Sequence, residues 1–487
     1  MKKNISIIGS GFSSLSAACY LAKAGHNVTV YEKNEKLGGR ARQFKDKGFT
    51  FDMGPSWYWM PDVFEDFYNK FGKKTEDLYD LVRLKPSYKV FYENDEYNIP
   101  AGLDKLESFF ESIEKGAGKA FKEFMADAKI KYDIGMKEVV FKPSLSPLEY
   151  LDLKLIKQSL KLDLLTSFKK FVSKRFNNPK IKQLLEFPVL FLGAKPDEIP
   201  ALYSMMNYAD SALGTWYPMG GMSQIAKAFE RIALEQGVKI KYETDVSGFE
   251  SKKHKLTTIK TNYGDFSDFD AVLSSMDYHH TDMLLNSKRN YNEQYWDKKR
   301  LSPSSLLFYI GVNKKVDNLL HHNLFFDTDF DQHSTEIYDE PKWPKEPLFY
   351  VCCPSKTDKS VAPENCENLF VLIPISPDLK DTKEVHDNYF DTVIDRIEKR
   401  TGVSIKEHIT YRKNFGVCDF KKEYNAYKGN AYGLANTLTQ TAFLKPKMKN
   451  KNLDNLYYAG QLTVPGPGLP PSIISGEVAA KLILDEA

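Results

Sequence analysis

The residues best suited to chemistry come first in the chain. GSGFSS, residues 9–14, puts Gly9 and Gly11 where a dinucleotide-binding turn needs them, and Ser14 where Gly or Ala is usual. In such a turn the first glycine permits the tight bend and the second lets the backbone approach a pyrophosphate. The third lets the following helix pack on the strand, the one role that Ser14 touches. Glu32 stands 23 residues after Gly9, where an acid binds a ribose hydroxyl pair. KNEKLGGRA (33–41) then adds Gly38 and Gly39 for another close backbone approach, and Arg40 as a cation for phosphate. Other chemistries lack their residues: no HExxH, GxSxG or Cys/His pairing occurs at a workable spacing. His279-His280 beside Asp277, and His321-His322, come nearest to a metal set. Adjacent histidines in polar stretches are usually surface or loop residues, so no metal site is expected.

These groups need elements to position them. NISII (4–8) is an apolar strand. After the glycine turn, Leu15, Ala18, Cys19 and Ala22 fall at helical spacing, Gly25 ends that helix, and NVTVYEK (27–33) is the next strand. This is the βαβ setting that a phosphate-binding turn requires. YKVFYENDEYNI (88–99) predicts a hairpin around Asn94-Asp95, and residues 103–185 predict a Lys-rich helical region. A helix follows at 223–236, then a strand VKIKYET, a hairpin over 257–275, and strands mixed with Pro-rich loops over 300–440. The chain closes on a strand, a Gly/Pro loop and a helix.

With 487 residues, two or three subdomains are expected. A net charge of +3 is too small to imply nucleic acid, and 13% aromatics favour a large core or an apolar ligand cavity. Five cysteines without a CxxC pair fit a reducing cytoplasm better than a disulfide framework. The apolar run after Lys2-Lys3 is interrupted too early by glycine for a signal peptide, and no stretch approaches the length of a membrane span.

Three stretches carry a resemblance. GGRA with GFTFDMGPS (48–56), LGAKPDEIPALYSMMNYADSALGTWYPMGG (192–221) and the closing YYAGQLTVPGPGLPPSIISGEVAA are similar, in order and spacing, to the FAD-dependent amine-oxidase and carotenoid-desaturase superfamily. Within it they resemble the bacterial phytoene desaturases. The resemblance implies an α/β fold with a discontinuous Rossmann-type FAD-binding domain, a mixed-sheet substrate domain and a helical membrane-facing part. The FAD-binding segments would be 1–87, 215–280 and 450–487. Residues 88–214 would hold the substrate hairpin and the helical part, and 281–449 the rest of the substrate domain. The implied cofactor residues are Gly54, Pro55 and Ser56 near the flavin ring, Val246 holding adenine through its backbone, and Gly460, Pro470, Ser472 and Ile473 in the closing motif. A helix starting at about Ser472 would turn free N–H groups toward a reduced, anionic flavin. The chain departs from the pattern at SSMD (274–277) and at Val464, which replaces a frequent His.

The implied reaction is stepwise dehydrogenation of phytoene towards lycopene, with oxygen or a quinone as electron acceptor. C30 diapophytoene desaturation, hydroxycarotenoid 3,4-desaturation and carotenoid isomerisation are the enzymatic alternatives, and a prenyl-lipid escort protein is the non-enzymatic one. An alkyl C–H is too weak an acid for any side chain, so hydride must leave first, and the cofactor carries that step. A catalytic triad is not required. Asp210 in NYADSALG is the most suited of the acids Asp210, Asp277 and Glu477 to assist, since its segment leads into TWYPMGG. An apolar polyene must come from a membrane, so a cytoplasmic protein bound to the inner face of the cell membrane is expected. Residues 154–182 carry nine Lys/Arg and one acid, with Leu164, Leu165, Phe168, Phe171, Val172 and Phe176 at helical spacing. That pattern predicts a basic amphipathic helix on an anionic surface.

Overall fold

The strand Asn4–Ile8 lies at the centre of a five-stranded sheet, with Asn27–Tyr31 and then Lys239–Lys241 on one side, and Ala271–Ser274 and then Leu456–Tyr458 on the other. All four pairings are parallel. A parallel sheet needs both faces covered, which is why Ile5, Ile7 and Ile8 are all buried although their side chains alternate in direction. The strands come from three separate stretches of chain, which makes this Rossmann-type unit discontinuous. The computed structural model describes residues 1–151, 162–190 and 192–486.

Three helices, Phe12–Lys23, Ser223–Glu235 and Leu469–Asp485, pack together on this sheet. Phe12 meets Phe229 edge-on at 5.2 Å between ring centroids. The first and last of these helices approach closest at Gly476, where a Cβ would lie 2.2 Å from the Ser13 carbonyl oxygen. Gly476 thus lets these two helices pack closely. Ser14 is fully buried and its hydroxyl is hydrogen-bonded to that of Ser275, beyond the end of the neighbouring strand.

The second sheet has seven strands in the order Ile409–Phe415, Ser304–Val312, Glu367–Ile375, Phe349–Cys352, His322–Phe326, Tyr88–Tyr92, Glu96–Ile99. It is mixed, with His322–Phe326 and Tyr88–Tyr92 its parallel pair. The predicted hairpin over 88–99 is its edge. Along Ser304–Val312 the side chains alternate between two cores. Leu307 and Tyr309 face the main core, while Leu306, Phe308 and Ile310 face a separate cluster closed by Phe390, Val393, Ile394 and Ile397 of the helix Lys383–Thr401.

The helical part corrects one expectation. Residues 154–161 lie outside the described residues, but the rest of the predicted membrane helix is broken. A short helix, Phe168–Ser173, ends before Asn178-Pro179, and a new helix, Pro179–Leu190, begins there. Phe168, Phe171, Val172 and Phe176 are buried, with the rings packed around Phe124, so that stripe faces the protein core. Two of its cations are engaged as well: Lys169 pairs with Asp331 and Arg175 with Asp127. Among the described residues no helix is long and apolar enough to cross a membrane.

Candidate flavin and substrate site

The glycine turn bends as its residue types predict. Gly9 has φ +89°, which an L side chain rarely adopts, and its backbone N–H donates to the Tyr31 carbonyl oxygen at 2.8 Å. Gly11 has an ordinary φ of −70°, so its need for glycine is one of space. A Cβ there meets nothing within 4 Å, because it would enter the cradle itself. Gly39 (φ +56°) backs onto the same spot, 3.3 Å from the Gly11 Cα for an added Cβ, and the Gly38 N–H donates to the Ser10 carbonyl oxygen at 3.0 Å. The two glycine segments therefore form one wall.

Glu32 is buried beside them. Its carboxylate accepts from the Ser10 N–H (2.9 Å) and hydroxyl (2.6 Å), and from the Asn34 N–H (2.8 Å) and side-chain amide (2.6 Å). The backbone donors fix its orientation, and the two side-chain donors are the ones that would give way to a ribose diol. Thr244 donates to the Glu32 carbonyl oxygen, which brings Val246, buried at the start of its strand, to the same end of the sheet.

Arg40 gives the most direct indication of a missing partner. Its guanidinium lies over the Tyr424 ring at 5.3 Å and donates to the Asn430 carbonyl oxygen, while Nε is buried without a hydrogen-bond partner. Burial pulls its pKa down and Asp277 opposes that pull. A buried cation with a free donor beside an open glycine cradle fits a pyrophosphate. Gly54 packs so closely that a Cβ would stand 2.9 Å from the Arg40 carbonyl oxygen, so Pro55 and Ser56 follow against the same turn. On the far side, Gly460 (φ +111°) donates from its N–H to the Ser475 hydroxyl. Ile473 accepts from the Ser16 hydroxyl at 2.8 Å, tying the closing helix to the cradle helix.

That closing helix starts at Leu469, not near Ser472. Pro470 and Pro471 have no N–H, and the Ser472 N–H is already bonded to the Gly468 carbonyl oxygen. The expected row of free donors is therefore reduced to the Leu469 N–H, leaving the helix dipole as the main electrostatic contribution. Glu477 is bonded to Tyr20, Lys70 and Lys481; burial pushes its pKa up, but Lys481 and Lys70 together hold it down.

Asp210 is buried and accepts from Tyr88 OH (3.0 Å) and the Thr215 hydroxyl (3.1 Å). Thr215 in turn accepts from Trp59 Nε1 at 2.9 Å. Burial raises the Asp210 pKa to about 7. Both its oxygens are used within the protein, and it lines neither cavity described below. Asp277 caps the helix Tyr278–Leu284 through the His280 N–H, and His279 pairs with Glu293.

Two cavities flank the Tyr350–Ser56 contact, one lined by Tyr350 and the other by Ser56. The larger encloses about 760 Å³ counting its open mouth and is walled by Phe187, Leu324, Phe326, Phe330, Leu348 and Leu372, with Tyr350 and Tyr432. Its polar groups look inward to the protein: His333 accepts from the Leu348 N–H and donates to the Pro374 carbonyl oxygen. The smaller has a mixed lining that includes Gln43, Asp52, Ser56, His321 and Cys352 together with Phe51 and Phe370. Between them Tyr350 OH donates to Ser56 Oγ at 3.0 Å and shares a 2.6 Å hydrogen bond with His322 Nδ1. The His322 ring stacks on Trp57, 4.0 Å between centroids and 12° apart. His321 and His322 are thus deeply buried, not surface residues as expected, because His322 opens a central strand of the second sheet and His321 precedes it.

Sequence reasoning missed Asn430, Gln461, Trp57 and Tyr350, and set His322 aside as a surface or loop residue. Asn430 links Arg40 to Gln461, and a Cβ on the nearby Gly433 would stand 2.8 Å from the Gln461 carbonyl oxygen. The glycines of GNAYG (429–433) were the available signal there. The aromatic group had none, since its members lie on three distant segments.

Comparison with known proteins agrees with this geometry. Residues 12–484 match the family model of flavin containing amine oxidoreductases. The chain is 41% identical over 489 residues to a carotenoid 3,4-desaturase of Haloarcula japonica, covering 99% of this chain and 98% of the relative. It is 31% identical over 498 residues to a 4,4'-diapophytoene desaturase (4,4'-diaponeurosporene-forming) of Staphylococcus haemolyticus, covering 99% of each. Among solved structures, an oxidoreductase from Methanosarcina mazei superposes with a TM-score of 0.63 at 16% identity, over 98% of this chain and 100% of that one. Cyclohexylamine oxidase from Brevibacterium oxydans gives 0.59 at 14%, over 100% and 99%. At such identities the likeness concerns the fold. With the cradle, the buried Arg40 and a family match over nearly the whole length, the chain belongs to the flavin containing amine oxidoreductase family, and its cofactor is FAD.

Proposed function

We propose that this protein is an FAD-dependent carotenoid desaturase. The observation that carries the reading is the Tyr350–Ser56 hydrogen bond. It joins a wall of the apolar cavity to the segment folded against the Arg40 turn, so a polyene in that cavity ends beside the cofactor cradle. FAD, when bound, supplies the hydride acceptor. Gly9, Gly11, Gly39 and Arg40 hold it, with Glu32 at the ribose. Phe187, Leu324, Phe326 and Leu372 align the hydrocarbon and exclude water, which protects a delocalised cation long enough for the neighbouring carbon to lose its proton.

The 41% relative favours 3,4-desaturation of a carotenoid over the diapophytoene reaction of the 31% relative. Phytoene-to-lycopene desaturation is the third candidate and rests on the sequence resemblance alone. Oxygen or a quinone would reoxidise the cofactor. Delivery from the inner face of the cell membrane is retained in the proposal, but at a different surface. Leu148 (73% exposed), Leu151 (61%) and Leu165 (94%) project from the helical part, and Leu438 and Leu444 are exposed on a neighbouring loop. The ring contact of Tyr150 with Phe443, and the bonds from Lys447 Nζ to the Ser144 and Leu145 carbonyl oxygens, hold these segments together.

The test is expression in three pigment backgrounds, accumulating phytoene, diapophytoene, or a C40 carotenoid lacking the 3,4 double bond. The proposal expects new conjugation in at least one, foremost the third. Well-expressed, flavin-loaded protein that changes no pigment would overturn it.

A further inference from the structure

Beside the cradle lies a cluster that flavin chemistry does not use. One ring nitrogen each of His321 and His322 and the sulfur of Cys352 lie within 4.8 Å of one another, and all three residues are buried. His322 and Cys352 are directly opposite each other on adjacent antiparallel strands, and His321 is the residue before. Both imidazoles are oriented from behind. His321 Nδ1 is bonded to the Thr357 hydroxyl at 2.8 Å and His322 Nδ1 to Tyr350 OH at 2.6 Å, while Nε2 of each is buried with no hydrogen-bond partner. One ring nitrogen fixed by an oxygen and the other left free is the arrangement of a metal-binding histidine with its outer-shell partner.

We propose that His321, His322 and Cys352 form a binding site for a thiophilic d¹⁰ cation, with zinc(II) as the ion that fits best. Two imidazoles and a thiolate exclude magnesium and calcium, which take oxygen ligands. Tetrahedral zinc separates N and S ligands by roughly 3.3–3.6 Å, so atoms that lie within 4.8 Å of one another must close by up to about 1.5 Å. The small cavity touching His321 and Cys352 provides the fourth position, for a water. Binding breaks the Cys352 S–H bond and releases that proton, and no electron is transferred. The ion would clamp the strand pair His322–Phe326 and Phe349–Cys352, and through Tyr350 and Ser56 it would stiffen the wall between the two cavities.

The experiment uses full-length, flavin-loaded protein. It is stripped with a chelator and titrated with zinc(II) against a chromophoric competitor. In parallel it is loaded with cobalt(II) and read in the visible beyond the flavin bands. The proposal expects one zinc per chain, cobalt ligand-field bands of tetrahedral intensity with a thiolate, and at least 100-fold weaker binding in Cys352→Ala and His321→Ala. Cys418→Ala, which removes an exposed thiol beside Asp381 and His386, should bind zinc as the wild type does. Wild-type protein that takes up well under one equivalent, or shows only octahedral cobalt bands, overturns the site without recourse to any variant. So does zinc binding that survives Cys352→Ala and is lost in Cys418→Ala.

Discussion

At Gly11 a side chain would enter open space and not collide with the fold, so the cradle can be emptied without unfolding the protein. Gly11→Val is expected to weaken FAD binding at least tenfold, about 1.4 kcal/mol or more, with an unchanged far-UV spectrum, as checked by flavin retained through gel filtration. Ser14→Gly should keep its flavin. It loses the buried bond to Ser275 and about 1 kcal/mol of stability in a denaturant titration. Asp210 carries a different signature. Its pKa is raised to about 7 from 3.8, so the folded protein holds a proton there that the unfolded chain has released. Stability from this group is full below pH 4 and is lost as pH rises to 7. Asp210→Asn should remove that decline, gaining on the wild type by a few kcal/mol at most between about pH 4 and pH 7. Melting curves at several pH values would show it, and parallel curves for both proteins would refute it.

The closing helix Leu469–Asp485 illustrates how far elements could be read from the chain. Its existence follows from the terminal motif, whereas its place beside the first helix is seen only in the structure. Its start does not follow from that motif, because Pro470 and Pro471 fit the first turn of a helix as well as a loop. Gly476 and Glu477 depend on partners that are remote in sequence, Ser13 and Ser16 for the one, Tyr20 and Lys70 for the other. Glu477 joins three helices, and its pKa is lowered by Lys481 and Lys70 against the effect of burial. It therefore stabilises the fold above its unfolded pKa and loses that contribution as pH falls. Glu477→Gln should cost about 1 kcal/mol near pH 7, with the difference shrinking under acid and the flavin content unchanged. Thermal melts at pH 7 and pH 4 would measure both.

For the whole molecule, the discontinuity of the FAD-binding domain came only from the family resemblance, whereas the α/β class and the candidate residues Gly9, Gly11, Glu32, Gly38, Gly39 and Arg40 were legible because they are local and each type has a physical reason to be there. The substrate side was not. Trp57, Tyr350 and His322 become neighbours only when the second sheet forms, and the stripe Phe168, Phe171, Val172, Phe176 reads the same on a core helix as on a membrane helix. The proposed membrane contact is accordingly placed at the exposed Leu148, Leu151 and Leu165. Leu148→Glu with Leu151→Glu should reduce co-sedimentation with anionic vesicles several-fold. Changing Lys169, Lys170, Lys174 and Arg175 to Glu should reduce it less, and the reverse order would return the contact to the basic segment. The most direct measurement is an anaerobic single turnover. Purified FAD-loaded protein is mixed with vesicles carrying a carotenoid that lacks the 3,4 double bond, following flavin absorbance and product mass together. Carotenoid desaturation predicts bleaching of the flavin in step with a product two hydrogens lighter and longer in conjugation. Bleaching without that product, or an unchanged carotenoid across the phytoene, diapophytoene and C40 substrates, would contradict it.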